Sequence, residues 1–504
     1  MNTFLIKSIN DWNEFAKKND GSHSNICLKN NIISLGGKST KFEVITLKNN
    51  QVFNGYNYGI YTDKYGPFFH IENGSLKNLN LTLEGFDDTN SYHSGGLLVA
   101  NNAGSNKGNK ASIVNCTVFG NILGHNSGGI VGEKAGSFKG HCEILNCNFD
   151  GRVLGANSGG IAGPDAGSME GTCIIINCNS KGIVHSVASG GIIGPKAGAE
   201  MGKCQVENCE SKIELRENES GGISGPKAGY KGVCTFVKCK YEENISDEKC
   251  GGIVAHSAGF AGKAFIYECT YKGHLYGNGV GGITGENAGV DGLCLIRDCY
   301  TSSKVIGNNA GGIVGSYAGL RGCCTIKNCK VNSEIHGSYA GGVAGSYGGK
   351  SGSLQIEKCD QAKFGSFTVL INGKGSGGIV GAYAGISHGL CDISNCNSIG
   401  IISGDRSGGI AGAFAGQEGK IIINDSMTTG KIIGFASGGL VGSGSTSNIG
   451  GVTINSSYAT GTVDKMGGDG MIGSNIGVWV SPHQRKNTVI NNSLSIGKKI
   501  DPNF

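Results

Sequence analysis

The stretch SGGIAGPDAGSMEGTCIIINCNSKGIV, residues 158–184, carries one copy of a pattern that recurs along most of the chain. Its Gly-Gly pair is found twelve times, from Gly95-Gly96 to Gly438-Gly439, at intervals of 33, 31, 31, 31, 30, 30, 30, 30, 36, 31 and 30 residues. A near-constant period of this length is typical of proteins that stack one structural unit on the next. We therefore expect a repeat architecture in this chain of 504 residues, rather than several globular domains.

Three positions in each copy are almost always isoleucine, valine or leucine, as at Ile161, Ile175 and Val184. Alternation of side chains around such positions indicates short strands that turn one face inward. The 92 glycines interrupt the repeat too often for helices of about ten residues or more. The pattern predicts an all-β fold, a single-chain right-handed parallel β-helix (β-solenoid) with about 12 regular coils of ~30 residues and three strands per coil.

Residues 8–18 predict a short amphipathic helix, because Ile9, Trp12 and Phe15 fall on one face of it. Repeat proteins need a capped end, and a helix laid across the first coil would cover an exposed sheet edge. We therefore expect this helix to cap the N-terminal end of the solenoid.

The period divides the chain into three predicted parts. We expect an N-terminal cap with irregular first coils over residues 1–90, regular β-helix repeats over 91–465, and a degenerate coil with a cap over 466–504. The single interval of 36 residues indicates about six extra residues between Cys359 and Gly377, which a surface loop would accommodate.

Most of the 20 cysteines fall in two columns, five residues apart, as Cys173 and Cys178 do. Zinc sites use a different spacing, and the first column also accepts Leu354 and Ile421, which cannot bind metal. We interpret both columns as reduced thiols stacked in the core, with a redox or metal role as the alternative. The core ladder of the second column comprises Cys147, Cys178, Cys209, Cys239, Cys269, Cys299 and Cys329.

An asparagine or aspartate precedes most cysteines of the second column, as Asn146 and Asn177 do. These residue types tolerate the left-handed backbone conformation and bond to their own turn. We therefore expect a corner there, which would let two cysteines five residues apart both face inward. Three cysteines lie outside the columns and have no predicted role: Cys27, Cys250 and Cys323.

One outward position changes character along the chain. It reads Lys134, Asp165, Lys196 and Lys227 in the early copies and becomes aromatic later. An aromatic stripe suits either the binding of a sugar or a protein, or the stacking of the rings on one another. The candidate binding residues are Tyr317, Tyr347, Tyr383 and Phe414, together with Phe364 and Phe367 of the insertion.

The pattern carries no catalytic signature. Aspartates and glutamates are scattered over unrelated positions, whereas a polysaccharide-cleaving β-helix requires carboxylates paired on one face. Histidines recur at no fixed phase, and the repeated G-x-x-A-G lacks the G-K-[ST] ending of a phosphate-binding loop. We expect no catalytic residue, no cofactor and no bound metal.

Charge and hydropathy narrow the classes of partner. The 43 basic and 38 acidic residues are dispersed without a basic stripe, so no nucleic-acid partner is expected. No stretch is apolar and long enough to cross a membrane, and the first residues lack the apolar segment and cleavage site of a secretory signal. We expect neither membrane insertion nor classical secretion.

The recurring S-G-G-I-x-G-x-x-A-G, with I-x-N-C and G-x-I-x-G, resembles the glycine-rich repeat proteins of mimivirus-like giant viruses. It resembles more loosely the GLUG-type repeats of bacterial surface adhesins. The resemblance covers roughly residues 40–465. It implies a β-helix, a viral origin and a location in the host cytoplasm or the virion, and it carries over no catalytic residue.

These observations predict a non-enzymatic structural or interaction scaffold that is a giant-virus protein or virion component. Protein partners or self-association are expected, with a glycan as a further candidate partner. Two alternatives remain open. One is a glycan-binding, adhesin-like β-helix, and the other is a carbohydrate-active β-helix enzyme that cleaves polysaccharides.

Overall fold

The computed structural model describes residues 2–35, 41–84, 95–361, 370–444, 450–460 and 488–496. Within them the fold is all-β, a parallel β-solenoid of about 14 turns with one helix of 10 residues. The predicted fold class is therefore confirmed. The turns outnumber the 12 or so regular coils expected, because coils before the first Gly-Gly pair and after the last one also pair with their neighbours.

The chain divides into two compact units, Met1–Tyr241 and Glu242–Phe504. The described part of the first unit contains helix α1 (Ile9–Lys18) and strands β1 (Thr3–Ile6), β2 (Asn25–Leu28), β3 (Ile32–Ser34), β4 (Ile45–Leu47), β5 (Gln51–Asn54), β6 (Gly59–Thr62), β7 (Phe69–Ile71), β8 (Gly74–Lys77), β9 (Asn80–Leu83), β10 (Lys110–Val114), β11 (Thr117–Phe119), β12 (His141–Leu145), β13 (Asn148–Val153), β14 (Thr172–Ile176), β15 (Asn179–Val184), β16 (Lys203–Glu207), β17 (Glu210–Leu215), β18 (Val233–Val237) and β19 (Lys240–Tyr241).

The second unit repeats the same alternation of a five-residue strand and a shorter or broken one. Its described strands are β20 (Lys263–Tyr267), β21 (Thr270–Lys272), β22 (Leu293–Arg297), β23 (Tyr300–Val305), β24 (Cys323–Lys327), β25 (Lys330–Ile335), β26 (Ser353–Glu357), β27 (Asp360–Gln361), β28 (Leu370–Ile371), β29 (Leu390–Ser394), β30 (Asn397–Ile399), β31 (Ile401–Ile402), β32 (Lys420–Asn424), β33 (Met427–Thr429), β34 (Gly451–Asn455), β35 (Tyr458–Thr460), β36 (Thr488–Asn491) and β37 (Leu494–Ile496).

Helix α1 lies against the first coils. Ser8 caps it, since the Ser8 hydroxyl accepts a backbone N–H of the first turn at 3.2 Å. Trp12 and Phe15 are buried, and the Trp12 ring lies 5.2 Å from that of Phe69 in β7. The capping helix predicted over residues 8–18 is confirmed, with its apolar face turned to the core.

Equivalent residues of successive copies are direct register partners. In the first unit β12, β14 and β16 form one parallel ladder, in which Ile175 lies between Ile144 and Val206. Strands β13, β15 and β17 form a second ladder, in which Val184 pairs with Val153. All five of these side chains are buried, so each predicted aliphatic column is a stack inside the solenoid.

The third side of each copy is narrower than a strand. It pairs through isolated bridges, such as Gly159 with Gly190 and Ala162 with Ile193. The buried Ile161 lies between them, as predicted for the column after the Gly-Gly pair. Each copy thus has its three predicted sides, with strands on two and bridges on the third, because turns on both flanks leave few extended residues there.

The Gly-Gly pair is required by the close approach of neighbouring backbones. A Cβ on Gly159 would strike the carbonyl oxygen of Ala162, and one on Gly160 would strike the carbonyl oxygen of Gly191. Because those atoms belong to backbone, they cannot rotate away as a side chain would. The period of the sequence therefore marks a place in each copy where the backbone leaves no room for a side chain.

The predicted insertion lies in the second unit. Val331 and Ile335 in β25 pair with Gln361 in β27 and Ile371 in β28. The first two are four residues apart in the chain and their partners are ten apart, so the six extra residues lie between β27 and β28. Residues 362–369 of this insertion lie outside the described part of the chain.

The last described strands continue the ladders of the second unit. Strand β36 pairs with β34, and β37 pairs with β35. The remainder of the predicted terminal part, residues 466–487 and 497–504, lies outside the described residues.

Candidate binding surfaces

Four aromatic side chains of the second unit form a continuous stack. The rings of Tyr317 and Tyr347 are 4.7 Å apart and inclined by 6°, and those of Tyr347 and Tyr383 are 4.9 Å apart and inclined by 4°. Phe414 follows Tyr383 at 5.0 Å and 14°. All four residues have φ of 59° or 60°, so equivalent turns direct their side chains alike and the rings stack on one another. Two further candidate residues lie outside the described part of the chain, Phe364 and Phe367.

The inner rings of the stack, those of Tyr347 and Tyr383, have an aromatic neighbour on each face. The Lys350 ammonium lies 5.5 Å from the centre of the Tyr347 ring. Phe414 lies against Gly444, on which a Cβ would strike the Phe414 ring. Burial raises the pKa of the Tyr347 and Tyr383 phenols above the ordinary value of 10.0. The ring edges remain accessible, whereas a sugar would find no free face on the inner rings of the stack.

The seven candidate cysteines of the second column are all buried, four in the first unit and three in the second. In the first unit the Cys147 N–H donates to the Cys178 thiol at 3.4 Å, and the Cys178 N–H donates to the Cys209 thiol at 3.4 Å. The Cys178 thiol donates to the carbonyl oxygen of Ile176 at 3.4 Å. Burial raises the pKa of the Cys147 and Cys299 thiols well above the ordinary value. The N–H···S bonds of Cys147 and Cys178 therefore link neighbouring copies of the first unit.

A column of serines makes the same bonds at a second corner. The Ser127 N–H donates to the Ser158 hydroxyl at 3.1 Å, and the Ser158 N–H donates to the Ser189 hydroxyl at 3.2 Å. Ser127 and Ser158 follow Asn126 and Asn157, whose φ values are 55° and 59°. The cysteine column likewise follows left-handed residues. The signal that would have revealed the serine column is its fixed place directly before the Gly-Gly pair, as at Ser127 and Ser158.

Cysteine and serine replace each other between these two columns. In the second unit Cys250 stands in the serine column, and its thiol donates to the carbonyl oxygen two residues earlier at 3.4 Å. Ser426 stands in the cysteine column and accepts the Cys396 N–H at 3.1 Å. Of the other two cysteines without a predicted role, Cys27 is buried in β2 and Cys323 is half-buried at the start of β24.

The outer face of the first unit carries a groove that the repeat pattern does not reveal. Its volume is about 520 Å³, and it lies across β11, β13, β15 and β17. Its outward residues form two rows in register, one of Phe119, Asp150, Lys181 and Lys212 and the other of Thr117, Asn148, Asn179 and Glu210. Because these positions differ from copy to copy, no column of the sequence marks them.

Two charged groups of this groove have no partner among the residues that the structure describes. Lys212 pairs with Glu210 at 2.9 Å. The carboxylate of Asp150 and the ammonium of Lys181, by contrast, make no hydrogen bond or ion pair to any residue that the structure describes. Asp150 and Lys181 are register partners on neighbouring strands, so the groove presents an acceptor and a cation side by side.

The remaining lining supplies amides and an aromatic ring. Asn179 donates from Nδ2 to Oδ1 of Asn148 at 3.1 Å. Within the described part of the chain, that leaves Nδ2 of Asn148 as a free donor and Oδ1 of Asn179 as a free acceptor. Phe119 is 45% exposed at the end of its row. The groove therefore combines an apolar surface with donors and acceptors of both charges.

Some carboxylates elsewhere are held by basic side chains, in part from a neighbouring copy. Burial alone would raise the pKa of Glu143, but hydrogen bonds from His141 at 2.9 Å and Lys110 at 3.0 Å hold it below its usual value. In the second unit Arg321 donates two bonds of 2.8 Å to Asp291 and lowers the pKa of that carboxyl. Such groups tie copies together.

The described residues contain no group of three or more His, Cys, Asp or Glu side chains placed to hold a metal ion. No helix in the described ranges is long and apolar enough to cross a membrane. No protein-family model matches the chain, and no curated protein matches it significantly.

Proposed function

We propose that this protein is a non-enzymatic scaffold on which other proteins or further copies assemble, and that it is a giant-virus protein or virion component. One observation supports the scaffold role. The polar side chains that recur in the sequence bond to their counterparts one copy away, as the cysteines, serines and corner asparagines do. Residue types that often carry chemistry are thereby used to hold the copies together.

The corner asparagines illustrate this use. Asn146 donates to Asn115 at 3.1 Å, Asn177 donates to Asn146 at 3.1 Å, and Asn208 donates to Asn177 at 2.6 Å, always from amide to amide. Each such bond contributes about 0.5–1.5 kcal/mol net. In a repeat protein these contributions add from neighbour to neighbour. The result is a surface of fixed form, which suits assembly.

The viral part of the proposal depends on the resemblance of the S-G-G-I-x-G-x-x-A-G repeat to glycine-rich proteins of mimivirus-like viruses. Quantitative mass spectrometry of purified particles of the encoding virus tests it. We expect peptides of this chain at the level of the structural proteins. Recovery from infected cytoplasm alone, with none in particles, would remove the virion role.

The non-enzymatic part has its own test. The purified full chain is incubated with neutral and acidic polysaccharides, and newly formed reducing or unsaturated ends are counted over time. We expect none above a heat-treated control. Steady release that Asp150→Asn abolishes would overturn this part, because Asp150 is a carboxylate of the groove without a basic partner among the described residues.

A glycan-binding role at the tyrosine edge has less support, because the inner rings of the stack cover one another. Replacing Tyr317, Tyr347 and Tyr383 together by alanine and measuring retention on immobilised glycans tests that alternative. Unchanged retention would end it. A loss of retention in the folded variant would restore it in place of a purely structural stack.

A further inference from the structure

We propose that the groove of the first unit binds an acidic oligosaccharide of the uronic-acid class. The inference adds a ligand to the proposed scaffold and does not depend on the virion role. It is drawn from the shape, the unpaired groups, the exposed ring and the charge of the groove, each of which limits the class of ligand.

The spacing of the strands matches an extended sugar chain. Strands of neighbouring copies in a parallel sheet lie about 4.8 Å apart, close to the length of one sugar residue in an extended pyranose chain. The groove crosses four strands, β11, β13, β15 and β17, in register. A ligand running across them would meet one set of outward side chains for each sugar.

The unpaired polar groups suit hydroxyls, which both donate and accept. The carboxylate of Asp150, which has no partner in the described part of the chain, can accept from two neighbouring hydroxyls of one ring. Asn148 offers a free Nδ2 donor and Asn179 a free Oδ1 acceptor beside it. These groups already lie in place on strands, so binding would order few side chains.

The exposed ring provides an apolar contact. Phe119 presents 45% of its surface to solvent in β11, in the row that continues with Asp150. A pyranose has one face of C–H groups, and an aromatic ring packs well against it. This combination of an aromatic face with carboxylate and amide edges favours a saccharide over a purely ionic ligand.

The charge of the groove selects an acidic sugar. Lys181 is unpaired among the described residues, and Lys212 shares its charge with Glu210. A smaller groove of about 190 Å³ also contains Glu210 and adds Lys238 and Lys240. Basic side chains thus outnumber acidic ones across both, which suits a carboxylate on the sugar. A polyphosphate fits less well, because Asp150 would lie against it.

Titration calorimetry of the full chain with a hexamer of galacturonic acid tests the proposal. We expect saturable binding, and Phe119→Ala, Lys181→Ala and Asp150→Asn should each weaken it by about five-fold or more, since about 1 kcal/mol corresponds to that factor. Matched controls are Phe138→Ala and Lys203→Ala, exposed residues of the same unit that do not line the groove. These should leave the affinity unchanged within about two-fold.

Three outcomes would overturn the proposal. The first is no binding of the hexamer by the folded chain, or equal losses in the control variants. The second is equal affinity for a neutral glucose hexamer, which would remove the acidic class. The third is equally tight binding of inorganic polyphosphate that Asp150→Asn strengthens, which would identify a general polyanion site. Circular dichroism of each variant excludes unfolding as the cause.

Discussion

At the scale of single residues, one local motif recurs at two corners of the coil. A residue in the left-handed conformation is followed by a small side chain that accepts an N–H from the preceding copy. Cys178 and Ser158 are examples in the first unit. Thiol and hydroxyl make the same bonds, and for that reason Cys250 and Ser426 stand in each other's columns.

The motif predicts different effects for two substitutions of Cys178. Cys178→Ala leaves the Cys147 N–H and the Ile176 carbonyl without this partner, and should lower the free energy of unfolding by about 1–3 kcal/mol. Cys178→Ser keeps both bonds and should cost clearly less. Urea unfolding measures both, with faster amide exchange at Cys147 expected for alanine only. Equal losses of stability in the two variants would show that packing alone, without these hydrogen bonds, explains the cysteine column.

The close approach of backbones at the glycine pair predicts that replacing one of these glycines lowers the stability of the fold. In Gly160→Ala the new methyl meets the carbonyl oxygen of Gly191, so we expect a cost of about 3 kcal/mol, as for an overpacked core. In the control Gly108→Ala nothing lies within 4 Å, and only the φ of 86° opposes the change. That cost should be about 1 kcal/mol. Thermal unfolding that ranks Gly108→Ala as the worse variant would contradict the argument.

At the scale of elements, each copy has a left-handed turn that directs one side chain outward. Where this side chain is aromatic in successive copies, the rings stack on one another. Tyr347 has neighbours on both faces, at 4.7 and 4.9 Å. Stacked pairs contribute about 0.5–1.5 kcal/mol each beyond burial. The turns of the second unit are therefore stabilised by their outward side chains as well as by the core.

Tyr347→Ala should lower the free energy of unfolding by about 1–3 kcal/mol, since it removes two stacked pairs. Tyr347→Phe retains the rings and should be close to neutral. The control Tyr458→Ala removes a tyrosine of the same unit that is 41% exposed and outside the stack. Denaturant unfolding compares the three variants. A loss for Tyr458→Ala as large as that for Tyr347→Ala would count against stacking.

The stack also predicts a pH dependence. Burial raises the pKa of the Tyr317, Tyr347 and Tyr383 phenols above 10.0, so the folded chain favours their neutral form. The stabilisation of the folded chain by these neutral phenols is fully present below pH 10.0 and is lost as the pH rises through their raised pKa values. We expect stability to fall above this pH, with late phenolate absorbance in the native chain. Identical titration in native and unfolded chains would refute this.

At the scale of the whole molecule, the reactivity of the cysteines tests whether the core is closed to solvent. None of the 20 cysteines, all of which lie in the described part of the chain, forms a disulfide bond, and Cys323 is half-buried while the others are buried. Brief alkylation of the native chain should therefore label Cys323 first, and alkylation after unfolding should label all 20. Intact-mass measurement counts the labels. Cys323→Ser should remove the fast label, whereas fast labelling of Cys178 or fewer labels after unfolding would contradict sealed, reduced columns.

The interior could be predicted from the sequence because every copy faces the same constraint. Ile161, Ile175 and Val184 each stack on the equivalent residue of the next copy, so the pattern repeats wherever the packing repeats. The Gly-Gly period records the close approach of backbones, and Asn177 before Cys178 records a left-handed corner. The fold class follows from such local, repeated requirements, whereas the capping helix and the insertion could be predicted because they lie where the repeat is absent or lengthened.

The arrangement of the outward-facing side chains was decided by the tertiary structure. Whether Tyr317 and Tyr347 offer their faces to a ligand or to each other depends on turn direction and register, which composition does not contain. The groove with Asp150 and Lys181 is assembled from residues about one period apart that share no pattern. Inward residues repeat because each one packs against the equivalent residue of the next copy. Outward residues differ from copy to copy, and those that form a site come together only when the chain has coiled.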